Sequence, residues 1–199
     1  MYTLLSGLYK QWTTKERYNV LVIGLDNAGK TTLLEKIKQI YNHVPGLPPE
    51  KIGPTVGLNI GRIVWQGAQL CFWDLGGQTA LQQLWDKYYA ECHGIIFVVD
   101  SCDSDRIKEV HDVLAQVVTT HDTEGVPILM LANKQDAPRA LRLHDIKEVF
   151  NPLAVELDAR DSKVLGISAL CGEGVSESVD WMGTRLFLNK RHRPPATSQ

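Results

Sequence analysis

Residues 20–32 read Val-Leu-Val-Ile-Gly-Leu-Asp-Asn-Ala-Gly-Lys-Thr-Thr. An apolar run opens this stretch and apolar residues at helical spacing follow it, which predicts a strand, a glycine-bounded loop and a helix. The spacing Gly24-x-x-x-x-Gly29-Lys30-Thr31 matches that of a phosphate-binding loop. The alternative, a glycine loop that merely caps a helix, is disfavoured because a strand and a helix lie on the correct sides of the motif.

The residue types of this loop indicate its chemistry. Backbone N–H groups at the start of a helix bind anionic oxygens, and glycine lets the backbone approach a phosphate closely. Lys30 supplies a point charge for the β- and γ-phosphates, and the Thr31 hydroxyl is a hard oxygen ligand suited to Mg²⁺. We therefore expect a nucleoside triphosphate with Mg²⁺ at this loop.

Length and composition favour one ordinary globular domain. The chain has 199 residues, of which 44% are hydrophobic and 22% are charged. The formal net charge of −2 gives no basic excess, so nucleic acid is not expected as a partner. Four cysteines without a Cys-x-x-Cys pair indicate thiols of a reducing compartment. We expect an N-terminal helix and linker over 1–17, the main domain over 18–190 and a basic, proline-containing tail over 191–199.

The N-terminus carries an amphipathic pattern. Residues 1–12 place one apolar stripe on a helix, formed by Met1, Leu5, Leu8, Tyr9 and Trp12. This stripe either packs on the body of the protein or lies in a membrane interface. Both chain ends are basic, which suits an anionic surface or two solvated termini. No stretch approaches ~18 consecutive apolar residues, so we expect a soluble protein of the cytosol.

A loop, a hairpin and an acidic turn follow the first helix. Residues 45–57 are too rich in Pro and Gly for regular structure and predict a long functional loop. Residues 58–65 and 70–74 bracket a short polar segment and predict a two-stranded hairpin. The hairpin ends in Asp74-Leu75-Gly76-Gly77-Gln78, where the acid can hold Mg²⁺ through water and a glycine N–H can meet a terminal phosphate.

The second half of the chain alternates strands and helices. Residues 95–99 and 128–132 are continuous apolar runs, typical of parallel strands covered on both faces, and residues 164–167 form a weaker run. Residues 106–118 and 174–189 have helical spacing. The alternation predicts an α/β fold with a doubly wound, mostly parallel sheet and one antiparallel hairpin strand.

Asn133-Lys134-Gln135-Asp136 follows the second of these apolar runs. The Asp136 carboxylate can accept hydrogen bonds from both the ring N–H and the exocyclic amino group of guanine. Adenine offers no such pair of donors on one edge, so a carboxylate left unpaired against adenine discriminates strongly. An ordinary polar turn is the alternative, but the two motifs upstream favour a guanine site.

With these motifs in order, the chain resembles the small GTPases, and in particular the ADP-ribosylation factor (Arf) family. The resemblance rests on residues 24–31, Thr55, residues 73–78, residues 133–136 and Ser168-Ala169-Leu170. Three further segments, residues 1–10, 85–94 and 192–195, are similar to the Arf-related members of this family at the Golgi. The similarity covers nearly the whole chain.

The resemblance implies a role for each site residue. Thr31, Thr55 and Asp74 would hold Mg²⁺, Asp74 through water and Thr55 only when GTP is bound. Gln78 would orient the attacking water. The implied nucleotide-binding residues are Asp26, Asn27, Ala28, Gly29, Lys30, Thr31, Thr32, Thr55, Gly77, Asn133, Lys134, Asp136, Ser168, Ala169 and Leu170.

Within that set the contacts are also implied. The Gly77 N–H would contact the γ-phosphate. Asn133, Lys134 and Asp136 would clamp the guanine, and the Ala169 N–H would meet its carbonyl oxygen. The implied effector patch is Leu58, Trp73 and Tyr88.

Three features depart from the usual pattern of small GTPases. Asp26 stands where Ras-type proteins have glycine, which is usual in the Arf branch but weakens any transfer of Ras activation geometry. The loop around residues 45–49 is longer than in typical Arf proteins. Tyr2 replaces the acylated glycine, which excludes N-myristoylation and implies an acetylated N-terminus and a membrane-protein receptor.

The implied function is a GTP-hydrolysing switch that recruits effectors to Golgi and trans-Golgi membranes in vesicle trafficking. It would use GTP or GDP with Mg²⁺, would be cytoplasmic, and would be peripheral on the membrane in its GTP form. Its partners would be an exchange factor, an activating protein, effector proteins and a Golgi membrane receptor, with the membrane surface reached through the N-terminal helix.

Two other functions compete with this one. A P-loop phosphotransferase would leave residues 133–136 unexplained, and a scaffold that binds nucleotide without hydrolysing it would leave Gln78 unexplained. No arginine in a suitable loop is evident as a built-in finger. Hydrolysis without a partner is therefore expected to be slow, on the order of 10⁻³ s⁻¹ or less.

Overall fold

The structure, a computed structural model, describes residues 15–157 and 160–197. The strands are β1 Glu16–Ile23, β2 Leu58–Trp65, β3 Ala68–Leu75, β4 Gly94–Asp100, β5 Ile128–Asn133, β6 Ser162–Gly166 and β7 Ala196–Thr197. The helices are α1 Lys30–Asn42, α2 Thr79–Gln82, α3 Asp86–Tyr89, α4 Ile107–Thr119, α5 Leu143–Phe150, α6 Ala154–Leu157 and α7 Val175–Leu188. Short 3₁₀ turns lie at Pro49–Lys51, Ser104–Arg106, His121–Thr123, Asn151–Leu153 and Asn189–Arg191.

The strands described form one sheet in the order β2-β3-β1-β4-β5-β6, with β7 added beside β1. Strands β3, β1, β4, β5 and β6 are parallel to one another. Strand β2 is antiparallel to β3, and β7 is antiparallel to β1. The predicted fold class, a mostly parallel sheet with one antiparallel hairpin strand, is confirmed.

Helices cover both faces of this sheet. Helices α1 and α7 pack on one face, where Leu33 and Met182 belong to the same buried cluster. Helices α4 and α5 pack on the other face, where Leu114 and Ile146 belong to a second cluster. Strands β4 and β5 are buried along nearly their whole length, because both of their faces are covered.

The β2–β3 hairpin turns over two residues. Gln66 and Gly67 have φ angles of 45° and 84°, the left-handed backbone whose twist matches that of the flanking strands. Ala68 pairs with Trp65 and is buried. Strand β3 therefore begins two residues earlier than the sequence pattern predicts.

Trp65 packs the turn end of this hairpin against α7. Its indole Nε1 donates to Asp180 Oδ1 at 2.7 Å. Its ring lies against Gly183, where an added Cβ would come within 2.6 Å of the indole. The Phe187 ring lies 5.3 Å away, centroid to centroid. The indole fits against α7 because position 183 has no side chain.

The C-terminal residues pack on the base of the sheet. Ala196–Thr197 pairs with Glu16 and Arg17 of β1. His93 Nδ1 accepts from the Asn19 N–H at 3.0 Å, so the neutral ring donates from Nε2 to the Pro194 carbonyl at 3.0 Å. Burial lowers the pKa of His93, which favours this neutral form. The structure thus continues the sheet into a segment that the sequence analysis placed beyond the main domain.

Two expectations concern the segments around α1. The predicted loop over residues 45–57 is irregular apart from the turn at Pro49–Lys51. The amphipathic helix predicted over residues 1–12 lies outside the described residues and stays a prediction. Among residues 15–157 and 160–197, no helix is both long enough and apolar enough to cross a membrane.

The Trp65 contact yields a stability prediction. In Gly183→Ala the added methyl group would overlap the indole, and overpacking of this kind costs about 1–3 kcal/mol. Alanine's higher helix propensity recovers at most ~1 kcal/mol. We expect a net loss of about 1–2 kcal/mol in the free energy of unfolding of the GDP-bound protein, measured by denaturant titration. Thr184→Ala, at the exposed neighbouring position, should change it by less than ~0.5 kcal/mol; equal values for the two variants would contradict the overlap.

Candidate nucleotide-binding site

The loop between β1 and α1 is closely packed at both of its glycines, against backbone at Gly24 and against a side chain at Gly29. Gly24 has a φ angle of 137°, and an added Cβ there would lie 2.2 Å from the Val98 carbonyl oxygen on β4. Gly29 has a φ angle of 89°, and an added Cβ would lie 2.4 Å from Asn133 Nδ2. Both positions require glycine, for conformation and for space. The loop is therefore held between two parallel strands at their carboxyl ends.

Lys30, the first residue of α1, is 6% exposed and points back across this loop. Its Nζ donates to the carbonyl oxygens of Gly24 at 3.0 Å and Leu25 at 2.7 Å. Burial lowers the pKa of Lys30 to about 8, although the carboxylates of Asp74 and Asp26 oppose the shift. An anionic oxygen opposite Nζ would favour the charged form, so this site suits a phosphate.

Three oxygen-bearing side chains meet beside Lys30. The Thr31 hydroxyl donates to Asp74 Oδ2 at 2.7 Å, and Thr55 Oγ1 lies 2.8 Å from Thr31 Oγ1. Asp74 is fully buried, and its Oδ1 has no hydrogen-bond partner among the described residues. Burial raises the pKa of Asp74, and a nearby cation would oppose this rise by stabilising the ionised carboxylate. Hard oxygens around an unpaired buried carboxylate oxygen fit Mg²⁺.

Gly77 and Gln78 follow β3 at the same edge. A Cβ at Gly77 would lie 2.4 Å from Lys30 Nζ and 2.5 Å from the Asp26 nitrogen, so the backbone here packs directly against the phosphate-binding loop. Gln78 is exposed and precedes the short helix α2. The Gln82 amide donates to the Gly77 carbonyl at 3.1 Å, which holds this turn in place.

Asn133 connects the base-recognition residues to the phosphate-binding loop. Its Nδ2 donates to the Ala28 carbonyl at 2.8 Å, and its Oδ1 accepts from the Ala169 N–H at 2.9 Å. Lys134 has a φ angle of 66° and pairs with Asp100 at 2.6 Å. Asp136 is exposed. These contacts place residues 133–136 beside residues 168–170, the two segments that are predicted to contact guanine.

The Ala169 N–H donates to Asn133 Oδ1 at 2.9 Å. Its expected contact with the guanine carbonyl oxygen stays a prediction. A buried N–H takes the partner within reach, and Ala169 is 2% exposed. Ser168 is buried with its Oγ accepting from the Cys171 N–H, whereas Leu170 is 52% exposed at the rim.

A cavity of about 340 Å³ brings most of the predicted residues together. Its lining includes Asp26, Asn27, Gly29, Lys30, Thr31, Thr32, Thr55, Gly77, Gln78 and Lys134. The remaining predicted residues, Ala28, Asp74, Asn133, Asp136, Ser168, Ala169 and Leu170, do not line it. A larger cavity of about 640 Å³, lined by residues such as His121 and Arg193, includes none of the predicted site residues.

Sequence reasoning missed an arginine beside the phosphate-binding loop. Arg106 Nη1 pairs with Asp26 Oδ1 at 2.6 Å, and Nη2 donates to the Asp26 carbonyl at 3.3 Å. Its Nε also pairs with Asp103 at 2.6 Å. The guanidinium therefore neutralises Asp26, and no local pattern joins two residues so far apart in the chain. An arginine in contact with this loop was not expected from the sequence.

The predicted effector residues lie on and beside the hairpin. Leu58 is 36% exposed on β2. Trp73 on β3 and Tyr88 on α3 contact each other edge to face, with ring centroids 5.7 Å apart. The structure brings these two aromatic side chains together.

Comparison with known proteins agrees with this geometry. Residues 4–186 match the ADP-ribosylation factor family. "ADP-ribosylation factor-like protein 3" of Saccharomyces cerevisiae is 52% identical over 98% of this chain and 98% of its own length. Human "ADP-ribosylation factor-related protein 1" is 50% identical over 98% of this chain and 97% of its own length.

A solved structure shows the same fold. The Arl6 BBS3 small GTPase of Trypanosoma brucei, with the bound nucleotide analogue GppNp, aligns with a TM-score of 0.74 at 28% identity. The alignment covers 86% of this chain and 98% of that one. The chain therefore belongs to the ADP-ribosylation factor family, as a small GTPase switch that binds GTP or GDP with Mg²⁺, hydrolyses GTP, and works with exchange, activating and effector proteins.

Proposed function

We propose that this protein is a GTP-dependent switch that recruits effector proteins to Golgi membranes in vesicle traffic and lies peripherally on the membrane in its GTP form. The contact of Thr55 with Thr31 and Asp74 carries the proposal, because it joins a long loop to the corner where the γ-phosphate and Mg²⁺ would bind. The Golgi assignment is supported by the resemblance to the Arf-related members of the family.

The site residues would divide the work as follows. Lys30 and the N–H groups of the phosphate-binding loop would hold the phosphates, and Thr31, Thr55 and Asp74 would hold Mg²⁺, which neutralises phosphate charge when bound. Gly77 would place its N–H at the γ-phosphate. Loss of the γ-phosphate would release Thr55, so the loop over residues 45–57 would report which nucleotide is bound.

Gln78 would position the attacking water. Its exposure at the start of α2 leaves it free to be ordered by a partner. Arg106 is paired with Asp26 and Asp103 and does not line the cavity, so an activating protein would supply the positive charge that speeds hydrolysis. Family membership favours this reaction over a phosphotransferase or a non-hydrolysing scaffold.

A two-residue slide of the β2–β3 hairpin, which we propose on the resemblance to the Arf family, would couple this switch to the membrane. A two-residue shift keeps every side chain on its face, and β2 alternates exposed Leu58 and Ile60 with buried Gly61 and Ile63. We propose that the N-terminal helix over residues 1–12 packs on the body with GDP and leaves it with GTP. Burying a large apolar side chain is favourable by roughly 1.5–3 kcal/mol. The released side chains would therefore need a membrane or a receptor that buries them again.

The first prediction concerns base recognition. Asp136→Asn should shift preference from guanine to xanthine nucleotides, because an amide can donate to the extra carbonyl of xanthine but no longer accepts from the guanine amino group. Since Asp136 is exposed, we expect a loss in GTP affinity of ~100-fold, below the strongest known discriminations. Competition binding with GTP and XTP measures it, with the exposed Asp105→Asn as control. Unchanged GTP affinity would mean that another group reads the base.

The second prediction concerns hydrolysis. Gln78→Leu should bind GTP like the parent but lose activator-stimulated hydrolysis by ~100-fold or more, because leucine cannot orient water. Single-turnover phosphate release with an activating protein measures the rate, and exposed Gln83→Leu is the control. A parental rate in Gln78→Leu would remove Gln78 from the mechanism.

The third prediction concerns membrane association. The intact protein should float with Golgi-like vesicles when loaded with a non-hydrolysable GTP analogue and stay in solution with GDP. Thr31→Asn should lose the GTP-dependent fraction, and so should a chain lacking residues 1–12, which should also load GTP more readily in solution. Tagged Thr31→Asn should likewise leave the Golgi in cells. Equal flotation of the GDP and GTP forms of the intact protein would rule out the coupling.

A further inference from the structure

The loop between α1 and β2 forms one wall of the nucleotide cavity. Pro49, Ile52, Gly53 and Pro54 line that cavity opposite the phosphate-binding loop. Beneath the same loop lies a second cavity of about 320 Å³, bounded by α1 on one side and by Ala169 and Leu170 on another. The middle of the loop therefore arches over open space, and its position depends on contacts at its ends.

Glu35 holds the inner end of this loop. It lies on α1, and only 6% of the residue is exposed. Its Oε2 accepts from the Leu47 N–H at 3.2 Å, and its Oε1 pairs with Lys38 at 2.5 Å. A buried carboxylate is costly unless its oxygens are bonded, so the Leu47 N–H is a required partner rather than an incidental one.

The Leu47 side chain contributes little to this anchor. It is 54% exposed, so the backbone N–H makes the fixed contact. Gly46 lies close by, since an added Cβ there would stand 3.4 Å from the Glu35 carbonyl oxygen. The loop thus meets α1 through its backbone.

The outer end of the loop is held differently. Thr55 reaches the corner formed by Thr31 and Asp74, and the Gly57 carbonyl accepts from the Gly76 N–H at 3.4 Å. The Thr55 contact involves groups proposed to bind Mg²⁺, whereas the contact between Glu35 and Leu47 uses no atom of the nucleotide site. The inner anchor is therefore independent of which nucleotide is bound.

We propose that the hydrogen bond from the Leu47 N–H to the Glu35 carboxylate fixes the inner end of the loop and thereby slows the release of bound guanine nucleotide. Glu35 is a positioning residue in this account, since it reaches the nucleotide only through the loop. The inference rests on the proposed function insofar as Thr55 is the nucleotide-dependent end. With the anchor, the unattached part of the loop begins at residue 48. Without the anchor, it begins at the end of α1, and a longer unattached loop returns to its closed position less often.

The first test changes Leu47 in two ways. Leu47→Pro and Leu47→Ala both remove the exposed side chain, but only proline removes the N–H. The position already precedes Pro48, so an extended backbone is favoured in all three proteins. Release of a fluorescent GDP and of a fluorescent non-hydrolysable GTP analogue is followed with Mg²⁺ present. We expect roughly tenfold faster release from Leu47→Pro, the size of a lost hydrogen bond to a charged group, and a change below about twofold for Leu47→Ala.

The second test changes Glu35. Glu35→Ala should release nucleotide as fast as Leu47→Pro, whereas Glu35→Gln keeps an acceptor oxygen and should remain within about threefold of the parent. Combining Glu35→Ala with Leu47→Pro should add almost nothing, because both remove one contact. Additive effects, or no rescue by glutamine, would mean that the two substitutions act through something other than this hydrogen bond. If Leu47→Pro fails to fold, judged by thermal unfolding with GDP, the Glu35 pair decides alone.

Two outcomes overturn the inference. One is equal release from Leu47→Pro and Leu47→Ala, and the other is release from Glu35→Ala at the parental rate. These rates are measured without membranes or effectors, so either outcome leaves Golgi recruitment standing. Conversely, loss of Golgi recruitment would not alter the rates.

Discussion

The buried amide of Asn133 is the contact on which the site depends. It donates to the Ala28 carbonyl of the phosphate-binding loop and accepts from the Ala169 N–H, so one side chain joins three separate loops. Because β1 and β5 are parallel strands of one sheet, the loops that follow them leave from the same edge. The amide fills the short distance between those loops. An added Cβ at Gly29 would reach to 2.4 Å from its nitrogen, so the glycine and the asparagine require each other.

Electrostatics at this edge is arranged for a ligand. Burial lowers the pKa of Lys30 to about 8 and raises that of Asp74, so each group carries its charge at a cost. Phosphate oxygens would stabilise the charged lysine, and Mg²⁺ would stabilise the ionised carboxylate. Asp26, in the same loop, is already compensated by Arg106. Lys30 and Asp74, whose charges are not compensated in this way, are thus the groups assigned to phosphate and metal.

Local patterns in the sequence were sufficient to locate β1 to β6, the phosphate-binding loop and the turn at residues 133–136, because each is specified by neighbouring residues. They did not predict β7 or the start of β3. They could not supply contacts between distant positions. Arg106 and Asp26 lie 80 residues apart, and His93 and Pro194 lie 101 apart. The hydrogen bond from the Ala169 N–H to Asn133, 36 residues away, is of the same kind: a buried N–H needs an acceptor, but no sequence pattern states which one.

The register of the β2–β3 hairpin is held at both ends. Trp65 is seated on α7 at one end, and Asp74 meets Thr31 and Thr55 at the other. The proposed two-residue slide is a movement of about 7 Å, so the 2.7 Å bond from Trp65 to Asp180 cannot survive it. A hydrogen bond to a charged group is worth about 1.5–3 kcal/mol, whereas docking the five apolar side chains of the N-terminal stripe would be worth roughly 7.5–15 kcal/mol. Under the proposed coupling, displacing the hairpin would be favourable only while the N-terminal stripe is docked, and removal of that stripe to a membrane would favour the register seen here.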